Sequence, residues 1–247
     1  KTPSHLAIGA EAIAVAVTEA FPGAKIFGTY RNHHWYLACG GSLDNFFLEL
    51  YGKKNDIADG KAGSMHLSCP EQGLMLTSAV VASQIGPAIG HAFAMKYKGE
   101  DTLTICALGD GATEEGVFYE CLNLVKLLDL KILFVIEDNL LAIHQHKKDR
   151  QAFNLGTLLL AYGVRYAQGK AYGMTDCLGT LRQVKQYGLP AILHLFYHRF
   201  MEHVGPGEDY NANYRERPGN LDELDPVHRF SRRIAKDVRE KIDTRVM

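Results

Sequence analysis

No run in this 247-residue chain approaches the roughly 18 consecutive apolar residues of a membrane-spanning helix, so no membrane partner is expected. An excess of charge is missing too. With 27 Lys and Arg against 28 Asp and Glu, a net charge of −1 gives no electrostatic reason to expect nucleic acid as a partner. Cysteine is scarce: Cys39, Cys69, Cys106, Cys121 and Cys177 are odd in number and include no C-x-x-C pair, which argues against a disulfide framework and a zinc site. Cys106 and Cys121 fall at core positions, Cys39 and Cys69 are expected nearer the surface, and all five read as reduced thiols of an intracellular protein. The opening Lys1-Thr2-Pro3-Ser4 is not a signal peptide, and the lack of an initial Met leaves room for a removed targeting segment. The expected compartment is the cytoplasm, or the mitochondrial matrix if such a segment existed. Repeats, low-complexity segments and linkers are lacking as well, so nothing divides the chain.

What is present is an ordinary globular composition, 47% hydrophobic and 22% charged, sufficient for a full core. Two short apolar runs, 102–108 and 131–137, read as buried strands. Between them Phe118, Cys121, Leu122, Val125 and Leu128 recur at three- and four-residue steps, the pattern of a helix with one packed face. A strand-helix-strand unit makes the two strands parallel and their crossover right-handed. Both strands then end on the same edge of the sheet, where open α/β folds bind ligands.

Gly109-Asp110-Gly111 leaves the first strand at that edge, and Asn139, after Glu137-Asp138, leaves the second. One carboxylate and one amide oxygen make a hard half-site suited to Mg²⁺ once a phosphate supplies further oxygens. Gly109 and Gly111 let backbone N–H groups approach that phosphate, and a helix expected from about Thr113 adds its positive end. Taken alone, Gly-Asp-Gly after a strand is also an ordinary tight turn. A dinucleotide site fits poorly, because Gly109, Gly111 and Gly116 miss the G-x-G-x-x-G spacing.

The full pattern of Gly109-Asp110-Gly111, 27 intervening residues and Asn139 is similar to the thiamine diphosphate motif. Gly-Asp-Gly-Ala-Thr-Glu-Glu-Gly-Val-Phe-Tyr-Glu at 109–120 resembles the version in alpha subunits of the thiamine diphosphate-dependent first component of 2-oxo acid dehydrogenase complexes, of pyruvate, branched-chain or acetoin type. The resemblance extends over about 5–226. It implies an α/β thiamine diphosphate-binding fold, a mostly parallel sheet flanked by helices, forming one diphosphate-binding domain over 1–247 with a C-terminal helical tail at 227–247. It further implies that a small 2-oxo acid is decarboxylated with thiamine diphosphate and Mg²⁺ as cofactors, the acyl group passing to a lipoyl-bearing acyltransferase. In such enzymes a beta subunit supplies the Glu that activates the aminopyrimidine ring. No second cofactor-binding domain is evident here, so a beta partner in an α₂β₂ assembly is implied.

Carried onto this chain, the resemblance gives the metal Asp110, Asn139 and the backbone carbonyl of Leu141, and sets Gly109, Gly111 and Ala112 beside the cofactor. Tyr30 and Arg31 match a diphosphate-binding pair, a task suited to the planar guanidinium fork. Ala79 and Val81 match positions whose backbone holds the aminopyrimidine ring, although relatives commonly carry Gly where Ala79 stands. His203 matches the phosphate-contacting His of a His-Gly-His-Ser pattern and is a catalytic candidate; Glu202 and Val204 replace the Gly and the Ser, so phosphorylation at that Ser is absent. His5, from a His-Leu-x-x-Gly-x-Glu segment, is a second catalytic candidate near the substrate carboxylate, with a helix-start His bonded to local backbone as the competing reading. Asp138 replaces the first Asn of the usual pair, a position that does not bind the metal, and His34-Trp35 stands where relatives continue Gly-His. His66 in Gly63-Ser64-Met65-His66 resembles a family segment, but a lone loop His is more often solvated or structural.

Other stretches carry plainer expectations. A helix over 6–21 is expected after a Ser4 cap, with further helices at 42–51, from about 155 and at 175–187, and strands at 164–167 and 191–197. The aromatic and imidazole-rich 29–36 cannot all be core and reads as a pocket wall or an interface patch. The polar run 144–150 is most simply a solvated loop or a partner dock. Phe230, Ile234, Val238 and Ile242 at four-residue steps predict one amphipathic tail helix packed on one side. Besides the oxo acid reading, an acetoin dehydrogenase alpha subunit, another thiamine enzyme subunit and a non-catalytic scaffold remain as alternatives.

Overall fold

A computed structural model describes residues 3–246; Lys1, Thr2 and Met247, touched by the readings of the two chain ends, lie outside the described residues. The first half runs α1 (Glu11–Ala20), β1 (Lys25–Thr29), α2 (His33–Ala38), α3 (Leu43–Leu50), β2 (Leu74–Ser78), α4 (Ile85–Lys98), β3 (Thr104–Gly109) and α5 (Gly116–Leu127). The second runs β4 (Ile132–Asp138), β5 (Leu141–Ala142), β6 (Gln145–His146), α6 (Leu155–Ala161), β7 (Arg165–Lys170), α7 (Met174–Tyr187), β8 (Ala191–Phe196), α8 (Pro226–Ser231) and α9 (Lys236–Val246).

Six strands pair in parallel in the order β2-β1-β3-β4-β8-β7, and β5 and β6 form a separate antiparallel hairpin. Successive side chains of a strand point to opposite faces, and helices cover both faces here, which is why the central strands are almost continuously apolar. On one face Ile105, Ala107, Leu133 and Val135 join Ile13 and Val17 of α1 and Leu181 of α7. On the other, Cys106, Leu108, Phe134 and Ile136 pack against Ile85 of α4 and Phe118 and Leu122 of α5. From β1 the chain passes to β2 on one side and then returns to β3 on the other, so the strand order reverses between β1 and β3. A reversal of this kind opens a crevice beyond the carboxyl ends of the strands.

The expected strand-helix-strand unit is present as β3, α5 and β4, with Gly109 paired to Glu137 at the sheet edge. A five-residue 3₁₀ segment, Asp110–Glu114, precedes α5, so the α-helix proper begins at Gly116 rather than near Thr113. The first helix also begins later than expected, at Glu11, because Gly9 adopts φ +101° and the Glu11 carboxylate accepts the Gly9 N–H at 2.8 Å. The tail divides into α8 and α9 instead of forming one helix. Asp225 caps α8, and Arg229 ties it to Asp176 of α7 at 2.9 Å, whereas Val238 and Ile242 of α9 are left substantially exposed.

One burial expectation is corrected. Cys69 is buried beside Leu67 and Leu74, although Cys39 is indeed half-buried. In the 29–36 stretch Arg31, Asn32, His34, Trp35 and Tyr36 are buried, Trp35 completely, while Thr29, Tyr30 and His33 are half-buried, so the stretch is not all core. Short α2 turns His34, Trp35 and Tyr36 inward, Trp35 and Tyr36 joining the apolar cluster that includes α1.

Gly9 is needed for more than its φ. A Cβ there would run into the His198 carbonyl oxygen and the Phe200 ring, so the start of the chain and the segment after β8 can touch only through glycine. Gly9→Ala is expected to cost about 2 kcal/mol and lower the thermal midpoint by about 4–8 °C. An unchanged midpoint in a thermal melt would contradict this close approach.

Candidate functional site

The parallel register delivers the ends of β1, β2, β3, β4 and β8 to one edge, and a cavity of about 350 Å³ opens there. It is lined at its polar end by Tyr30, Arg31, Asp110, Asn139, Arg199 and His203, with Gly109, Gly111, Ala112 and Leu141 around them. Val81 lines its apolar end beside Val80 and Ala82; Ala79, one residue beyond β2, is not among the lining residues. The structure therefore brings together every sequence-selected site residue except Ala79 and His5 as cavity walls, and His5 lies immediately behind. Its ring centroid is 4.4 Å from that of Tyr30 and 4.9 Å from that of His203. His66 is exposed, bonded at 3.2 Å to the Thr77 carbonyl, and is absent from the cavity wall.

The electrostatics separate these groups. Burial, reinforced by the Arg31 charge, lowers His5 to about 4 and His203 to about 3, so both rings are neutral near pH 7 and act as dipoles rather than cations. His5 also keeps a buried Nδ1 without a partner. Arg31 and Arg199 are the fixed cations on the cavity wall, and the Arg31 guanidinium donates to the carbonyls of Leu6 and, at 3.2 Å, of His203. Those bonds aim the fork by tying β1 to both flanking segments. Asp110 is buried; burial first and the Asp138 charge second push its carboxyl upward, against the lowering effect of Arg150. Asn139 donates from Nδ2 to the Tyr197 hydroxyl at 3.0 Å and accepts the Leu141 N–H at 3.1 Å, which fixes its rotamer.

The 144–150 run is solvated at His144, Gln145, Lys148 and Asp149 as expected, but Lys147 and Arg150 turn inward. Lys147 Nζ reaches Asp138 Oδ2 at 2.5 Å, and Arg150 pairs with both Asp110 and Glu114. His194 also donates to Asp138 Oδ2 at 2.7 Å when its Nε2 carries the proton, so the Asp that stands in place of Asn is matched by two neighbours and its pKa is held low despite burial. Glu137, too, was missed by residue-level reading. It lines the cavity, with Oε1 2.6 Å from His34 Nε2 and 3.2 Å from Trp35 Nε1. Strand alternation offered a signal, since 137 and 139 share a face. Arg199 had none: it is buried between Asp209, Tyr214 and the Ile143 carbonyl, contacts that depend on the path of the loop after β8.

Among the described residues no three His, Cys, Asp or Glu side chains converge on a metal position. The donor set is oxygen only, with Asp110, Asn139 and the Leu141 backbone on one wall, and it suits a hard cation that gets its remaining oxygens from a bound phosphate. The buried Asp110 carboxyl, disfavoured as an anion by its surroundings, would be relieved by such a cation, so the residues present fit a metal-diphosphate group.

The dehydrogenase E1 component family matches residues 3–237. The alpha subunit of the mitochondrial pyruvate dehydrogenase E1 component of Solanum tuberosum is 34% identical over 237 residues, covering 92% of this chain and 59% of its own length. The acetoin:2,6-dichlorophenolindophenol oxidoreductase alpha subunit of Bacillus subtilis is 37% identical over 136 residues, covering 55% of this chain and 41% of its own length. Its counterpart from Cupriavidus necator is 30% identical over 260 residues, covering 97% of this chain and 75% of its own length. The chain thus spans about six tenths or less of the first two relatives.

Proposed function

The chain belongs to the dehydrogenase E1 component family, and on that premise we propose that it is an alpha-type subunit binding thiamine diphosphate and Mg²⁺ for the oxidative decarboxylation of a small 2-oxo acid. The observation that carries this reading is the single cavity shared by Asp110, Asn139, Leu141, Tyr30, Arg31 and His203. Asp110, Asn139 and the Leu141 carbonyl would hold the metal, and Arg31 would pair with diphosphate oxygens through the N–H groups its two carbonyl partners leave free. When bound, the cofactor supplies the electron sink for decarboxylation. Neutral His5 and His203, packed tilted or edge-on with Tyr30, would orient an anionic substrate by hydrogen bonding and exchange a proton at a ring nitrogen without bringing a fixed charge.

A beta subunit would complete the site with its activating Glu, in an α₂β₂ assembly that passes the acyl group to a lipoyl-bearing acyltransferase. The comparable identity to pyruvate dehydrogenase and acetoin oxidoreductase alpha subunits supports a second reading of the substrate, as acetoin. No helix among the described residues is long and apolar enough to cross a membrane. The test is calorimetric titration of thiamine diphosphate into the chain with its beta subunit, in Mg²⁺ and again after chelation. Heat that vanishes on chelation is expected; silence in both titrations would sink the proposal.

A further inference from the structure

Resting on that reading, we propose that Arg150 is a positioning residue of the metal-diphosphate site. Its guanidinium bridges two carboxylates, Asp110 at the end of β3 and Glu114 at the end of the 3₁₀ turn, through different nitrogens. The arginine side chain is 6% exposed, and Arg150 is not among the residues that line the cavity, so it approaches Asp110 from behind the cavity wall.

One fork spanning both carboxylates fixes the turn that carries Gly111 and Ala112, both of which line the cavity. It engages Asp110 through Oδ2, which leaves Oδ1 as the ligand atom. The same segment is pinned at two further points: Lys147 sits on Asp138 at 2.5 Å, and Gln151 Nε2 donates to Thr113 Oγ1 at 2.9 Å. Residues 147–151 therefore lie as a strap across the ends of β3 and β4, and Arg150 is the member that reaches the metal-binding carboxylate. Outer partners of this kind orient a ligand and tune its affinity. A lysine could match the charge but not the two-carboxylate span.

The test compares unsubstituted protein, Arg150→Gln and Arg150→Lys, each as the full chain with its beta subunit. Mg²⁺-dependent binding of thiamine diphosphate is read by calorimetry, and hydrogen exchange is followed at the amides of 110–114 and 147–151. Arg150→Gln is expected to bind about 10–100-fold more weakly and to lose protection in both segments, while Arg150→Lys recovers part of the affinity. A purely structural role would lower thermal stability without this graded rescue. Equal or tighter binding by Arg150→Gln, with the unsubstituted protein binding normally, would overturn the inference alone. Absence of binding by the unsubstituted protein would remove the functional reading and the inference with it.

Discussion

Asp110→Ala is expected to abolish Mg²⁺-dependent binding of thiamine diphosphate, a loss of more than about 100-fold in affinity, since removing a ligand should exceed the cost of removing its outer partner. The side chain is the charged oxygen donor among the candidate ligands on this wall; Asn139 and the Leu141 carbonyl are neutral and cannot replace its charge. The loss should not be confused with unfolding. Arg150 keeps Glu114 as a partner, and the surrounding strands are held by the apolar clusters on both faces of the sheet. A folded Asp110→Ala protein, checked by thermal melting, with cofactor affinity within tenfold of the unsubstituted one would contradict the assignment of Asp110. Asp110→Asn keeps the shape without the charge, and it should fall nearly as far.

The second large effect concerns Glu49, which is buried near the end of α3 and has no cationic partner in hydrogen-bonding reach among the described residues. Its two carboxylate oxygens accept the backbone N–H groups of Ala58, Gly60, Ala62 and Gly63, at 2.7–3.2 Å, together with the side-chain amide of Asn55. One side chain thus stands in for secondary structure over the 58–63 end of the loop. Glu49→Ala strands four amide donors. The Gly63 donor is buried and the other three are part-buried; at about 1–3 kcal/mol for a buried unsatisfied donor and less where water reaches, the total should be about 4 kcal/mol, or a drop of about 8–16 °C in the thermal midpoint.

The same site has a defined pH signature. Burial opposes ionisation of Glu49, but the Gly63 N–H, the Asn55 amide and the Gly60 and Ala62 N–H groups outweigh it, so its pKa lies below the ordinary carboxylate range. A lowered folded-state pKa means the folded state binds fewer protons through this group. Its stabilisation is complete above the ordinary carboxylate value and is lost as pH falls through the lowered one. The stability gap between the unsubstituted protein and Glu49→Gln, measured by chemical denaturation, should be flat from pH 6 to 8 as a consequence and shrink below about pH 4. A gap that widens on acidification would reverse the sign and refute the account.

The sequence by itself determined the central unit and the cofactor motif. Strands 102–108 and 131–137 were legible because both faces of each are buried, which leaves uninterrupted apolar runs. Asp110 and Asn139 followed from them, since parallel strands place their ends on one edge whatever the rest of the chain does. Edge strand β2 went unseen, its five residues mixing buried, half-buried and exposed positions without clean alternation. The burial of 29–36 and the division of the tail depended on how much apolar surface neighbouring elements offered, a quantity no local pattern contains. Only the tertiary structure decided the charge partners. Arg150 finds Asp110 across 40 residues, Asp138 finds His194 across 56, and Arg31 finds the His203 carbonyl across 172. A polar run states its charges but not its route, and a buried carboxylate takes whichever cation the folded path carries within a few ångströms, because leaving it unpaired would cost more than ordering the loop.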